Sequence, residues 1–179
     1  MAILKIARMG HPVLARVAEP VPDPNDAEVG RLLDDMLETM VDAEGIGLAA
    51  PQVHRPLRVI VFLDVERRED TGAARPIALI NPEIVPEGDE VVPGWEGCLS
   101  IPGLRGLVPR HARIRYRGLD RRGRTVERVA EGLHARVVQH EVDHLDGILY
   151  PERMPDLRQL VFESELRHLV QEPEEEVPE

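Results

Sequence analysis

The stretch Gln-His-Glu-Val-Asp-His-Leu at residues 139–145 is the strongest functional signal in the sequence. It lies within a segment that predicts a helix from Glu131 to Asp146, followed by a glycine in a C-terminal capping position. His140 and His144 are four residues apart, so on a helix their side chains leave the same face about one turn apart. This spacing predicts that the two imidazoles bind one metal ion.

A catalytic metal site needs three protein ligands and one open position, and this helix supplies only two. Glu141 lies about 100° around the helix from His140, where its carboxylate can reach a water molecule on the metal. In the long metalloprotease form of the motif a third histidine follows, but Tyr150 occupies that position here. The sequence leaves four other donors open as the third ligand, namely Cys98, His134, Glu163 and Glu165.

Two further segments have the composition of functional loops. Cys98 lies in Gly-Trp-Glu-Gly-Cys-Leu-Ser-Ile-Pro at residues 94–102, where glycine and proline predict a tight, ordered loop, although a buried and inert cysteine is the alternative. Residues 45–52 read Gly-Ile-Gly-Leu-Ala-Ala-Pro-Gln, in which the glycines allow close backbone approach and Gln52 offers an amide donor. Taken alone, this second segment predicts only a helix cap followed by a loop.

Composition excludes several classes of protein. The 179 residues hold 22 basic and 33 acidic side chains, and the net charge of −11 disfavours a general binder of nucleic acid or anionic membranes. A single cysteine excludes an internal disulfide. No signal peptide and no run of 18 apolar residues is found, so a cytoplasmic protein is expected. Residues 105–128 depart from the average, since nine arginines against two acidic residues give a local balance of 9 − 2 = +7.

Apolar periodicity predicts an α+β protein, because a block of strands lies between helices without regular βαβ alternation. A first helix, capped by Asn25 or Asp26, is predicted to end near Ala43. The remaining predictions are strands over 57–63 and 76–81 with a loop between them over 66–74, a hairpin over 112–117 and 124–129, and a last helix from Asp156 to about Gln171.

Together, residues 45–52, 96–100 and 139–145 resemble the three motifs of bacterial-type peptide deformylases, in the same order along the chain. The resemblance extends to residues 10–14 and 32–40. It implies antiparallel sheets packed around a central metal-binding helix, with a long N-terminal helix and a C-terminal helix. One catalytic domain would span residues 1–170. The tail at 171–179, with five glutamates and two prolines, is predicted to be disordered.

The resemblance also implies a set of roles. Cys98, His140 and His144 would hold one divalent ion, with Fe(II) favoured and Zn, Ni or Co able to replace it in purified protein. Glu141 would act as general base and then general acid on a water molecule that attacks a formyl carbon. The Gln52 side-chain amide and the Leu99 backbone N–H would stabilise the resulting oxyanion.

The implied substrate is the N-formyl-methionyl end of a new polypeptide. Leu133 and Val137 precede His140 by seven and three residues, so they share its face of the helix and either line a methionine pocket or pack in the core. Ile46 and the chain around Leu99 would complete that pocket, and Gly47 would offer backbone hydrogen bonds.

The expected partners follow from the substrate and from the charge pattern. We expect a monomer that binds neither DNA nor membranes, with contact to ribosomal RNA near the exit tunnel through residues 105–128 as a hypothesis. The rival interpretations are a zinc endopeptidase that uses a downstream glutamate, and an inactive structural metal module or translation-associated binding protein.

Overall fold

The computed structural model describes residues 2–68 and 74–169. Within them, α1 spans Ala27–Asp42 and α2 spans Gly132–Leu145. The strands are β1 (Gly47–Ala49), β2 (Val59–Arg68), β3 (Ala74–Pro86), β4 (Val91–Cys98), β5 (Ile101–His111), β6 (Arg113–Leu119), β7 (Thr125–Glu131) and β8 (Leu160–Phe162). No helix in the described part of the chain is both long and apolar enough to cross a membrane.

The predicted helix at residues 27–42 is confirmed, and its start has the expected cause. The Asp26 side chain accepts a hydrogen bond from the Glu28 N–H at 2.7 Å, which satisfies one of the free donors of the first turn. One apolar face of α1 is buried against the sheet, and it includes Leu33, Met36 and Met40. This face packs against β2, the strand that follows residues 45–52 in the chain.

A five-stranded antiparallel sheet in the order β1-β2-β3-β6-β7 separates the two helices. Along β2, Ile60 and Phe62 pack into the core cluster of α2, whereas Val59 and Val61 pack into the cluster of α1. Because successive side chains of a strand point to opposite faces, a strand covered on both faces is apolar throughout. The sheet therefore holds α2 at the centre of the molecule, as the resemblance implied.

The β6–β7 hairpin confirms the prediction over residues 112–129, while two other strand predictions were incomplete. The structure extends β2 through residues 66–68 and begins β3 at Ala74, so the predicted loop over 66–74 was too long. Residues 69–73 of that loop lie outside the described residues. The β3 strand also continues past Asn81 to Pro86, where it pairs with β6.

The segment around Cys98 was predicted as a loop, and this prediction was wrong for most of its length. It forms the β4–β5 hairpin of a three-stranded sheet in the order β4-β5-β8, and only Leu99 and Ser100 form the turn. Glycine and proline disfavour strands locally, but here the pairing of two long strands outweighs that preference. Cys98 is consequently the last residue of a strand, which gives it a defined position.

The C-terminal α-helix predicted from Asp156 was also wrong within the described residues. The chain makes a short 3₁₀ turn at Leu157–Gln159, the strand β8, and a 3₁₀ helix at Glu163–His168. Leu160 and Phe162 pair with Gly106 and Leu104 of β5, so tertiary pairing overrides the helical spacing of the leucines. The end of the predicted helix and the acidic tail at 171–179 lie outside the described residues.

Candidate active site

The structure brings Cys98, His140 and His144 together, with one ligand atom from each within 4.8 Å of the others. The Cys98 Sγ lies 3.2 Å from the His144 Nε2, and the two imidazole rings are 5.1 Å apart between centroids. A thiolate and two imidazoles are donors suited to zinc or to another divalent transition metal. Burial holds the pKa of His144 well below its usual value, which favours the neutral imidazole that a metal ion requires. The three residues therefore fit a metal ion.

None of the other three donors considered for the third ligand belongs to this group within the described residues. His134 packs beside the rings of Phe62 and Tyr116, with its Nδ1 3.4 Å from Asp64. Glu163 forms an ion pair with Arg105. Glu165 lies 3.8 Å from His168.

Tyr150, which stands where metalloproteases have a third histidine, has a different position. Its ring stacks on His140 at 6.1 Å between centroids, with an interplanar angle of 27°. It thus packs against a candidate ligand from one side and is not among the grouped donors.

Glu96 is a site residue that our interpretation of the sequence missed. Its carboxylate lies 2.8 Å from the His140 Nδ1, and both of its oxygens accept hydrogen bonds from Arg110, at 2.9 and 3.0 Å. Burial would raise the pKa of Glu96, but the hydrogen bonds from His140 and Arg110 and the charge of Arg110 lower it to about 2. The only signal in the sequence was its place in the motif at residues 96–100.

Asp143 lies behind the two histidines and faces arginines. It is buried against Arg110, and its other oxygen lies 2.7 Å from Arg153. Arg110 therefore joins Asp143 to Glu96. Burying a charge is costly unless the charge is paired. These ion pairs therefore hold the Glu96 and Asp143 carboxylates in place beside the two histidines.

Glu141 points into the site and has an unpaired oxygen. Its Oε2 is buried and has no hydrogen-bond partner among the described residues. Burial raises the pKa of Glu141 to about 7; the charge of Glu96 adds to this rise, and those of His140 and Arg110 oppose it. A carboxyl group with such a pKa can both take up and release a proton near neutral pH. Gly47 makes room for it, because a Cβ at Gly47 would lie 2.7 Å from the Glu141 Cδ.

Gln52 is held with its amide directed at the same place. Its Oε1 accepts a hydrogen bond from the Ala49 N–H at 2.8 Å, while its Nε2 lies 3.1 Å from the Ser100 Oγ and 3.5 Å from the Cys98 Sγ. The amide nitrogen is thus presented to the candidate metal ligands. Leu99 follows Cys98 in the turn, and its carbonyl accepts a hydrogen bond from Arg8 at 3.2 Å.

A cleft of about 760 Å³ opens onto these groups. Its lining includes nine of the ten predicted site residues, and the tenth, His144, is buried behind it. The predicted pocket residues differ in position. Val137 is 5% exposed within the cleft, whereas Leu133 and Ile46 are 53% and 44% exposed.

The arginine-rich segment at residues 105–128 is less positive than its sequence suggests. Eight of its nine arginines have a carboxylate partner among the described residues, and most of these partners come from outside the segment. Examples are Arg117 with Glu83 and Arg121 with Asp34. The exposed pairs resemble a solvated surface of alternating charge.

Comparison with known proteins agrees with this geometry. A family model described as polypeptide deformylase matches residues 3–160. Peptide deformylase 1 of Bordetella pertussis is 54% identical over 155 residues, covering 85% of this chain and 88% of the relative. Peptide deformylase 2 of Ralstonia nicotianae is 51% identical over 162 residues, covering 89% and 92%.

Solved structures show the same fold. The crystal structure of a class I type b peptide deformylase from Acinetobacter baumannii, bound to Met-Ala-Ser, superposes with a TM-score of 0.77 at 38% identity. The match covers 85% of this chain and 98% of the other. Sequence, fold and the grouped cysteine and histidines therefore agree, and the chain belongs to the polypeptide deformylase family.

Proposed function

We propose that the cleft hydrolyses the formyl group of peptides that begin with N-formyl-methionine, releasing formate and a free amino terminus. One observation carries this proposal: a buried carboxylate oxygen of Glu141 without a partner lies beside the grouped Cys98, His140 and His144. A structural metal site has no need of such a carboxylate. The related A. baumannii enzyme was solved with Met-Ala-Ser, a peptide with the amino terminus that deformylation would leave.

Cys98, His140 and His144 are proposed to hold one divalent ion. When bound, the ion supplies a Lewis acid that polarises the formyl oxygen and lowers the pKa of a water molecule towards ~7. Fe(II) is the proposed physiological metal, and Zn, Ni or Co can occupy the same donors. Metal analysis of protein purified without oxygen tests the choice, and a thiolate ligand beside Fe(II) predicts loss of activity in air.

The side chains of the cleft perform the remaining steps. Glu141 takes a proton from the attacking water and delivers it to the amine nitrogen as the carbon–nitrogen bond breaks, a sequence that its pKa of about 7 allows. The Gln52 Nε2 and the Leu99 backbone N–H donate to the formyl oxygen as it gains negative charge. Val137, Leu133 and Ile46 contact the methionine side chain, and the backbone of Gly47 binds the peptide.

The rival endopeptidase proposal requires a glutamate as third ligand, and its best candidate lies in the same cleft. Glu163 lines the cleft but is paired with Arg105. The decisive experiment measures hydrolysis of a formyl-Met dipeptide and bound metal, without oxygen, for Glu141→Ala and Glu163→Gln. We expect Glu141→Ala to keep its metal and lose on the order of 10²–10⁴-fold in kcat. Glu163→Gln should resemble the wild type, and full activity in Glu141→Ala would refute the proposal.

The cellular setting is proposed from the substrate. Nascent chains carry the formyl group in the cytoplasm, so we place the protein there, as a monomer near the ribosomal exit tunnel. Analytical ultracentrifugation tests whether the protein is a monomer.

Contact with the ribosome is proposed through residues 105–128. Reversing the charge of Arg117 and Arg122 should weaken ribosome binding and reduce its dependence on salt. The pairing of most arginines in that segment weighs against a strong contact.

A further inference from the structure

Arg136 connects the two elements that carry the metal-binding residues. It lies on α2 one turn before His140, and its guanidinium contacts the β4–β5 hairpin, in which β4 ends at Cys98. The guanidinium donates to the Glu96 carboxylate at 2.8 Å and to the carbonyl oxygens of Val92 and Val108 at 2.7 and 2.8 Å. A longer contact, at 3.3 Å, reaches the carbonyl of Gly94.

These contacts complete the hydrogen bonding of Glu96. A carboxylate offers about four acceptor positions, and Glu96 fills them with two bonds from Arg110, one from Arg136 and one from the His140 Nδ1. With all four filled, the carboxylate has one favoured orientation. The orientation of the His140 ring then follows, because a ligating histidine is aligned by the partner of its other nitrogen.

Gly94 provides the space that Arg136 occupies. A Cβ at Gly94 would lie 2.7 Å from the Cζ and Nη2 atoms of Arg136 and 2.9 Å from its Nε. All three of the nearest atoms belong to the guanidinium, so the group lies where a side chain at residue 94 would begin. A Cβ at residue 94 therefore requires the guanidinium to shift from its present position.

Metal affinity depends on how well the ligands are held before the ion binds. Cys98 comes from the β4–β5 hairpin and both histidines come from α2, so the relative position of these two elements sets the ligand geometry. A functional constellation must be held within about 0.5 Å. Arg136 bonds the helix to both strands of the hairpin and to Glu96, and its side chain is only 14% exposed.

We propose that Arg136, whose guanidinium packs on Gly94, is a positioning residue. It holds the β4–β5 hairpin, which carries Cys98, against α2, which carries both histidines, and so sets the affinity and geometry of the metal site. This inference rests on the proposed function, because it assumes that Cys98, His140 and His144 hold a divalent ion. Arg136 acts through Glu96 and through the backbone of the hairpin. It has no part in the proton transfers assigned to Glu141.

The test uses Co(II) as the metal probe, because its visible absorption reports coordination geometry. Apo protein is titrated with Co(II) in competition with a chelator for the wild type, Arg136→Met and Gly94→Ala. Each variant should bind Co(II) about 10–100-fold more weakly, with a shifted spectrum. Gly30→Ala is the matched control, because nothing lies within 4 Å of a Cβ at Gly30, and its affinity and spectrum should equal those of the wild type.

The double variant Gly94→Ala/Arg136→Met separates this mechanism from general damage. If Gly94 acts only by seating Arg136, the double variant should lose no more affinity than Arg136→Met alone. Losses that add would overturn the proposal, as would an unchanged Co(II) affinity and spectrum in Arg136→Met. So would thermal unfolding of the apo variants at lower temperature with Co(II) binding intact, since that is the result of a purely structural contact. If the wild type binds no Co(II), or Cys98→Ala binds it equally well, the proposed metal site itself fails.

Discussion

The Nδ1 atom of His140 lies 2.8 Å from a carboxylate oxygen of Glu96, a residue 44 positions earlier in the chain. With this nitrogen donating to Glu96, the lone pair of the imidazole is on Nε2, where a metal ion can use it. The same carboxylate is bonded to Arg110 and Arg136. Glu96 therefore joins His140 on α2 to the guanidinium groups of Arg110 and Arg136.

Replacing this carboxylate should weaken metal binding. In Glu96→Gln an amide N–H₂ would face arginine and histidine donors, so at least one buried donor would lose its acceptor. We expect metal affinity to fall about 10–100-fold, measured by competition with a chelator. Glu87→Gln is the control, because Glu87 also binds two arginines but lies away from the site. Equal metal affinity in Glu96→Gln and the wild type would contradict the role given to Glu96.

Local spacing in the sequence predicted which of the candidate site residues lie together on one helix. His140 and His144 share a helix face by their spacing alone, and the cap and the apolar stripe of α1 are visible in the sequence. Cys98 could not be placed in this way, because it ends β4 whereas both histidines lie on α2. Its selection over His134 and the glutamates depended on the family resemblance.

The features that were missed depend on contacts between distant segments. Glu96 gains its importance from Arg110 and His140, and neither spacing nor periodicity connects them. The β4–β5 hairpin contains glycines that disfavour strands, yet Gly94 is needed there because the Arg136 guanidinium occupies its side-chain space. The predicted C-terminal helix failed because β5 offers an edge with which residues 160–162 pair.

Removing Arg110 should destabilise the fold far more than removing an exposed arginine. The Arg110 side chain is 6% exposed and is bonded to both Glu96 and Asp143, so Arg110→Ala leaves two buried carboxylates with fewer partners. We expect a loss of about 3–5 kcal/mol in the free energy of unfolding, measured by urea denaturation of the apo protein. Arg113→Ala removes pairs whose arginine is 50% exposed, and it should cost no more than ~1 kcal/mol. Similar losses for the two variants would show that the buried cluster has no special role in stability.

Gly47→Ala should impair catalysis through Glu141. The added Cβ would lie 2.7 Å from the Glu141 Cδ, so the carboxylate must move away from its present position. A displacement of about 1 Å in a catalytic group can cost ~10²-fold in rate, and we expect a fall in kcat of that order on a formyl-Met dipeptide. The apo protein should unfold at nearly the same temperature as the wild type. A Gly47→Ala enzyme with normal kcat would show that the position of Glu141 is not critical.

Leu133→Ala should change selectivity more than it changes stability. The side chain is 53% exposed at the cleft, so its loss leaves the core intact while it removes apolar surface from the proposed methionine pocket. We expect kcat/KM for formyl-Met peptides to fall about 10-fold or more relative to formyl-Ala peptides. Leu157→Ala, at another exposed leucine, is the control and should leave this ratio unchanged. A constant ratio in Leu133→Ala would assign the methionine side chain to another part of the cleft.

Metal removal should lower stability by an amount that depends on Cys98. An ion that binds only the folded state stabilises it by about 2.7 kcal/mol when its free concentration is 100 times its Kd. Thermal unfolding of the wild type should therefore occur at a clearly lower temperature after chelation. In Cys98→Ala the third donor is absent, so chelation should change the unfolding temperature little. Glu163→Gln, which alters the rival ligand, should keep the full difference between metal-bound and apo protein. The opposite result, with the difference lost in Glu163→Gln and kept in Cys98→Ala, would transfer the third ligand to Glu163 and support the endopeptidase alternative.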